Sequence, residues 1–444
     1  MKELFLGIDF ATQNSRAVLI DSENRVVARS SRELAPVISG SDGRLTQDPQ
    51  SWLVAADYLL ERSIASATEH GAVITGLCIT ATSGTFILTD LSGTPLTPAA
   101  MYNDGRASTP LDRAELMRAE IGSAEALFAH VPEYVIAHLT GNSLASINTD
   151  WSHAMKTGVD LVKGDWKPEI RQLAQSLQIH LPSIVAPGAL LGRTAHADIP
   201  IYAGMTDGCT AQISAGSSAV GSAVTTLGTT LVLKVVADKE VSGPGFYSHR
   251  LPASRWLAGA ASNLGGISFS QFSADIDEWN KKARAHGHAT HIVYPLVGTG
   301  ERFPIADKNM KALRSGEPTS EVDEFRAIIE GIAFAERLSY EILGAAGAPC
   351  NGELYTVGGG SKSQLWNEIR AAVMNRPITL VEDAGSDIGA ARLAHAAHLG
   401  SDVAAHLATF NSSTLQQIVP DKEDVIYYEG RYQEFLSLCK VQTP

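Results

Sequence analysis

Cysteine is scarce and scattered. Cys78, Cys209, Cys350 and Cys439 lie far apart in 444 residues, with no CxxC pair. The pattern argues against a disulfide framework or a zinc site and fits a reducing cytoplasm. Positive charge is in deficit too: 35 Lys and Arg stand against 48 Asp and Glu, a formal net charge of −13. The acids are spread along the chain. Such a surface repels phosphate backbones, so neither nucleic acid nor a membrane surface is an expected partner. An anionic ligand would have to be held by local donors, helix termini or a metal. Long apolar runs are missing as well. The longest, Ala219 to Ala237, is broken by Ser222, Thr225, Thr226, Gly228, Thr229, Thr230 and Lys234, and is too polar to span a bilayer. The chain enters a strand at once, without an apolar signal core. A soluble cytoplasmic protein is expected.

What is present is ordinary globular material: 44% hydrophobic and 19% charged residues, enough for the cores of two domains. Strands are read at Leu4 to Ile8, Ala17 to Ile20 and Arg25 to Ala28, forming an antiparallel meander. Helical periodicity over Ser51 to Ala67 precedes strands at Val73 to Thr80 and Phe86 to Leu88, and Leu111 to Ala119 reads as helix. Helices following strands within one unit imply an α/β arrangement. Gly221 to Asp238 repeats the strand, short turn, strand pattern. Helices follow at Ser273 to Ala285 and Val322 to Leu343, then strand Leu354 to Val357 running into Gly-Gly-Gly-Ser. Helix Gln364 to Met374, strand Ile378 to Val381 and helices Ile388 to Leu399 and Val425 to Leu438 complete the reading. The domain change is placed near Ser214 to Gly221, giving lobes 1–214 and 215–423, with 424–444 a final helix able to pack back on the first lobe.

Three Gly/Thr-rich turns follow strands: Ala11-Thr12-Gln13, Gly228-Thr229-Thr230 and Gly358-Gly359-Gly360-Ser361. Such turns expose successive backbone N–H groups and hydroxyls, which cradle phosphate oxygens without formal positive charge. Neither GxxxxGK[ST] nor a GxGxxG opening a βαβ unit occurs, so no P-loop or dinucleotide fold is indicated. Two carboxylates stand at strand ends. Asp9 closes the first buried strand. Asp207 follows strand Ile201 to Gly204 and precedes a helix over Cys209 to Ala215, where either a helix cap or a catalytic group is consistent with the position. His286, His288 and His291 in "HGHATH" have no nearby carboxylate or cysteine to complete a metal set and read as a solvated loop. Arg302 is open between a phosphate contact and a surface ion pair.

Asp9 with Thr12, then Gly204-Met205-Thr206-Asp207-Gly208, Leu227-Gly228-Thr229-Thr230 and Gly358-Gly359-Gly360, resemble in order and spacing the FGGY family of carbohydrate kinases. The resemblance covers nearly the whole chain. Ala81 to Asp90, Met101 to Ala107, Thr149 to Asp160, Gly259 to Gly266 and Gly300 to Asp307 look like the compact D-ribulokinase-type and xylulose-kinase-like members. Xylulose kinases usually carry Gln-Met-His-Gly where Thr82-Ser83-Gly84-Thr85 stand. The implied fold is α/β, actin/Hsp70-like (ribonuclease H-like), two-lobed with a central cleft.

The resemblance implies ATP and Mg²⁺ as cofactors and a small sugar as partner, best read as D-ribulose, with D-xylulose or a polyol as alternatives. Asp207 would be the catalytic base, since a sugar hydroxyl must lose its proton as the γ-phosphoryl arrives. Asp9, with Asp207, would hold the metal. Thr12, Gln13, Gly228, Thr229 and Thr230 would grip phosphates from opposite lobes, whose closure excludes water. Gly265, Gly359, Gly360, Ser363 and Asn367 would lie against the nucleotide, and Ser83, Asp104 and Asp207 against the sugar. A homodimer is compatible with the sequence. Two departures stand out. Ala11 occupies a usual glycine position, where a positive φ would be strained. His130-Val131-Pro132 runs almost directly into Glu133-Tyr134-Val135, shortening the segment beside the sugar. Both motivate an alternative of another class, a catalytically weak sugar- or nucleotide-binding regulator.

Overall fold

Alternation along the first strand lays out the N-terminal unit. In Lys2–Phe10, Leu4, Leu6, Ile8 and Phe10 share a buried cluster with Trp52, Ala55, Ala56 and Leu59 of helix Gln50–Glu69. The opposite face carries Phe5, Gly7 and Asp9. There Phe5 stacks on His395 with ring centroids 4.0 Å apart. Gly7 lies directly under helix Ser386–Leu399: a Cβ on it would fall 2.0 Å from the Asp387 carbonyl oxygen. Only glycine admits that helix. The computed structural model describes residues 2–122, 124–216, 219–272, 275–381, 384–400, 402–410 and 414–441.

Lys2–Phe10 pairs antiparallel with Asn14–Asp21 and parallel with Ala72–Ala81. The six-stranded sheet runs Leu190–Arg193, Pro200–Tyr202, Ala72–Ala81, Lys2–Phe10, Asn14–Asp21, Val26–Glu33. Pro200–Tyr202, Ala72–Ala81 and Lys2–Phe10 are parallel neighbours. Their C-terminal ends therefore bring Asp9, the 82–85 loop and the 204–207 turn to one sheet edge, the edge at which open α/β sheets take ligands. A second sheet, not expected from the sequence, runs Ile179–His180, Ala126–His130, Phe86–Thr89, Ala99–Ala100, Leu45–Gln47, Ile38–Ser39. It is covered by helix Pro110–Ile121 through Leu111, Ala114 and Met117. Strand Ala126–His130 passes straight into helix Val131–Thr140, whose Glu133 carboxylate accepts from the His130 N–H at 2.6 Å.

In the other unit a seven-stranded sheet runs Phe246–Arg250, Trp256–Ser262, Leu231–Ala237, Ala223–Leu227, Leu354–Val357, Ile378–Val381, Thr414–Ile418. Helices Glu321–Ala345 and Gln364–Met374 are joined by a fully buried ion pair, Arg370 with Glu336 at 2.6 Å. Glu336 also accepts from Thr225 and Arg370 donates to Thr356, so the pair is tied to two central strands.

The unit boundaries differ from expectation at two places. Contacts divide the chain into Met1–Gly216 with Ala384–Asn411, and Ser217–Asp383 with Ser412–Pro444. Helix Ser386–Leu399 thus belongs to the first unit rather than to a continuous 215–423 lobe. Its small face is the reason: a Cβ on Gly389 would lie 1.8 Å from the Thr210 carbonyl oxygen. Helix Lys422–Cys439 belongs to the second unit, with Tyr428, Tyr432 and Phe435 around Phe334. The helix expected from Ser273 begins at Ile276, and Ser273 and Ala274 lie outside the described residues, as do Ser217 and Ser218 at the unit boundary. Among the described residues no helix is long and apolar enough to cross a membrane.

Candidate active site

Asp9 is 1% exposed at the end of its strand. The hairpin register places Arg16 directly opposite, and its guanidinium reaches Asp9 Oδ2 at 2.6 Å. Asp9 Oδ1 is buried without any hydrogen-bond partner. Burial raises the carboxyl from 3.8 to about 6 against the pull of Arg16, and the neighbouring Asp207 and Asp387 charges add to the rise. An acceptor oxygen left bare among carboxylates fits a cation, which satisfies in one contact what Arg16 does not. Among the described residues no three His, Cys, Asp or Glu side chains group to hold a metal. Ala11, Thr12 and Gln13 form the connecting turn, closed by Ala11 N–H on the Asn14 carbonyl at 3.1 Å. Ala11 is not among the residues with positive φ, so its backbone does not need glycine.

Asp207 opens helix Asp207–Ser214, but the N-cap is Thr206. Among the described residues the carboxylate accepts from the next N–H, Gly208 at 2.7 Å, and is half-buried rather than spent on the helix end. The turn approaches the sheet closely: a Cβ on Gly204 would sit 1.9 Å from the Ile79 carbonyl oxygen. A buried chain of hydrogen bonds supports it from below. Thr206 N–H donates to Ser152 Oγ at 2.9 Å, Ser152 Oγ donates to Asp150 at 2.5 Å, and His153 Nδ1 bonds the other Asp150 oxygen. Burial opposes charge on His153, yet Asp150 holds its pKa above the ordinary value, with Glu133 and Asp207 contributing.

The 82–85 loop rises between these two carboxylates. Ser83 Oγ is buried and has no partner, as a hydroxyl awaiting a ligand would be. Asp104 behaves otherwise. Its carboxylate is forked by Arg106 at 2.7–3.1 Å and also accepts the Arg106 N–H. The expected sugar contact by Asp104 is therefore corrected: both oxygens are engaged in a buried pair, which secures the turn.

In the second unit, Gly228-Thr229-Thr230 is the tip of hairpin Ala223–Leu227 and Leu231–Ala237. Gly265 backs it at φ 141°, where a Cβ would lie 2.8 Å from the Thr229 carbonyl oxygen, and Gly266 N–H donates to the Gly228 carbonyl at 2.8 Å. Thr229 is left exposed. Gly358 takes φ 94° against Leu227, and a Cβ on Gly359 would meet nothing within 4 Å. Ser363 caps helix Gln364–Met374 through Trp366 N–H and donates to Asn280. Asn367 is 0% exposed; its amide donates to the Ser361 carbonyl and accepts from Arg370. The expected reach of Asn367 to the nucleotide base is thus corrected. It braces the glycine turn from inside.

The "HGHATH" segment is no solvated loop. His286 pairs with Asp323 at 3.1 Å, His288 with Asp424 at 2.9 Å and His291 with Glu324 at 2.8 Å. Arg302 donates to the Ser262 carbonyl, a contact of neither expected kind. Sequence reading missed Arg16 and the Asp150–His153 pair, although both stand in segments singled out for their motifs. Asp9 and Arg16 are seven residues apart across a tight turn, a spacing that a counted register would have paired.

These sheets, each with a hairpin followed by parallel strands, define the actin/Hsp70-like two-lobed fold; carboxylates at a sheet edge of the first unit, and Gly/Thr turns at strand ends of the second, are each of the kind that phosphoryl transfer uses. The N-terminal domain model of the FGGY family of carbohydrate kinases matches residues 4–120, and its C-terminal domain model matches residues 213–398. The chain belongs to the FGGY family of carbohydrate kinases; it is a phosphotransferase with an alcohol group as acceptor. A xylulose kinase of Staphylococcus epidermidis is 24% identical, over 89% of this chain and 88% of the relative. Among solved structures, a xyloylose kinase from Brucella ovis superposes with TM-score 0.88 at 23% identity, over 98% of each chain. A gluconate kinase from Lactobacillus acidophilus reaches 0.84 at 20% identity, over 99% of this chain and 98% of that one. Likeness at such identity defines the fold.

Proposed function

We propose that the chain transfers the γ-phosphoryl of Mg·ATP to the terminal hydroxyl of a pentulose. Asp207 accepts the hydroxyl proton, its carboxylate being half-buried and free of the helix cap. Asp9, with Asp207, would hold Mg²⁺, which would offset phosphate charge there, while Arg16 stays paired with Asp9 Oδ2 and orients the carboxylate. Bound Mg·ATP supplies the phosphoryl group and offsets its charge. Thr12, Gln13 and the Gly228-Thr229-Thr230 tip donate to phosphate oxygens; Gly265, Gly359 and Gly360 let backbone approach the nucleotide, with Ser363 fixing the helix beyond. Ser83 donates to the sugar. The observation that carries this reading is the bare, buried Asp9 Oδ1 at the sheet edge shared with Asp207.

The sugars D-xylulose and D-ribulose differ at one carbon. The names of the sequence relatives favour the first; the 82–85 loop and neighbouring segments suit the second. A coupled ADP-release assay across the C5 ketoses and polyols decides. Sugar-dependent release with a ketopentose supports the reading, whereas ADP release without any sugar, or binding without turnover, overturns it.

A further inference from the structure

The Asp207 carboxylate is aimed by the backbone of the turn it stands on, and that backbone is fixed from two sides. The Thr206 carbonyl is held by its own helix, accepting from the Cys209 and Thr210 N–H groups at 2.8 and 3.0 Å. The Thr206 N–H is held from outside, by Ser152 Oγ at 2.9 Å. A hydroxyl can donate or accept, and here its direction is set. Asp150 Oδ1 accepts the Ser152 hydroxyl at 2.5 Å and the Ser152 and His153 N–H groups at 2.8 and 3.2 Å, while Asp150 Oδ2 takes His153 Nδ1. With its hydrogen committed to a carboxylate, Ser152 Oγ offers Thr206 its lone pairs. Burial opposes the charge on Asp150, yet His153 and Ser152 hold its pKa below the ordinary value. His153 Nε2 is buried without a hydrogen-bond partner, so the imidazole is spent on Asp150. Thr206, Ser152, Asp150 and His153 are all at most 3% exposed, and a hydrogen bond broken there is not replaced by bulk water.

We propose that Ser152 and Asp150 are positioning residues for phosphoryl transfer: the ordered chain from Asp150 through Ser152 Oγ to the Thr206 N–H fixes the aim of Asp207. This rests on the reading of Asp207 as the base. A base works when its oxygen lies within hydrogen-bond reach of the hydroxyl it deprotonates, and a displacement of about 1 Å costs up to about a hundredfold in rate. The carboxylate's contact with the Gly208 N–H comes from the next residue. It moves with the turn and so does not set that aim. Ser152 supplies the fixed point, from a segment more than fifty residues earlier in the chain. Its effect therefore falls on the chemical step, where the proton leaves, rather than on binding of sugar or ATP. Asp150 also caps helix Trp151–Ala154, a structural duty that Ser152 Oγ does not share, and this makes Ser152 the residue to vary.

The test is a double-mutant cycle on Ser152→Ala and Asp207→Asn, with D-xylulose and D-ribulose as acceptors and Ser152→Thr as the conservative control. Ser152→Ala lowers kcat about ten- to hundredfold and leaves the KM for sugar and for ATP within about twofold. Ser152→Thr, which keeps the oxygen, restores most of the rate. In the Asp207→Asn background the same alanine substitution changes the residual turnover by less than about twofold, because no base is left to aim. A brace confined to the fold would lower the melting temperature and cost the same factor in both backgrounds; that result, or an unchanged kcat in folded Ser152→Ala, overturns the proposal. If Ser152→Ala does not fold, Ser152→Cys keeps the volume with a weak acceptor and is read in the same way. Turnover of neither ketopentose by wild type fails the pentulose reading, and near wild-type turnover by Asp207→Asn fails the base; either takes the positioning role with it. An inactive Asp207→Asn beside a fully active Ser152→Ala fails the positioning proposal alone.

Discussion

Arg16 and Asp9 face each other across the first hairpin and close at 2.6 Å, yet the pair satisfies only one of the two Asp9 oxygens. A buried carboxylate held half-paired is an expensive arrangement in the metal-free protein. Its folded pKa, about 6, lies above the ordinary 3.8. The native state therefore takes up the proton more readily than the unfolded chain. Ionised Asp9 opposes folding above pH 6, and that opposition fades as the pH falls through 6 toward 3.8. With about 1.4 kcal/mol per pKa unit, the cost at pH 8 is roughly 3 kcal/mol. Asp9→Asn, measured by denaturant unfolding in EDTA, is expected to be more stable than wild type at pH 8 and equal to it near pH 4; assayed separately with Mg²⁺ at pH 8, it is expected to lose kinase activity.

The Arg370–Glu336 pair carries a prediction of opposite sign. Both partners are fully buried, and Arg370 also holds Asn367, whose amide grips the Ser361 carbonyl in the glycine turn. Removing one partner leaves an uncompensated buried charge. Glu336→Gln should cost about 3–5 kcal/mol of stability and raise the KM for ATP more than the KM for sugar.

Asp104 and Arg106 separate a structural role from a sugar-binding one. Asp104→Asn leaves Arg106 without its carboxylate; a loss of about 2 kcal/mol lowers the melting temperature by roughly 4–8 °C. The sugar KM of the folded enzyme should be unchanged. A raised sugar KM without a change in melting temperature would return Asp104 to the substrate.

Ala11 was the main sequence argument for a non-catalytic regulator. Its backbone is not in the positive-φ region, so glycine there adds freedom to the unfolded chain and relieves nothing. Ala11→Gly should lose about 0.4–1 kcal/mol of stability and leave turnover and the KM for ATP as they are.

Much of the fold was legible because it is written in local patterns. Continuous apolar runs on either side of a polar turn marked Lys2–Phe10 and its hairpin, and helical spacing marked Gln50–Glu69; Glu321–Ala345 was read as helix too. Leu354–Val357, Gln364–Met374 and Ile378–Val381 were read to the residue. What was not legible depends on long-range return. Helix Ser386–Leu399 was found as a helix, but its docking under Gly7 joins residues almost four hundred positions apart in a contact that only the two backbones make. The same limit applies to the site. Asp9 and Asp207 were visible at strand ends, and the turns were visible as Gly and Thr. The engagement of Asp104 and Asn367 was not, because an acidic or amide side chain looks the same whether its oxygens face a sugar or a buried guanidinium.

The central claim is that Asp207 takes the proton from the sugar hydroxyl. Asp207→Asn keeps the shape of the turn and the Gly208 N–H contact but removes the base. The decisive measurement is sugar-dependent ADP release by this variant, alongside direct binding of the same sugar. Release is expected to fall by at least about a hundredfold with sugar binding largely retained. Turnover close to wild type would contradict the account.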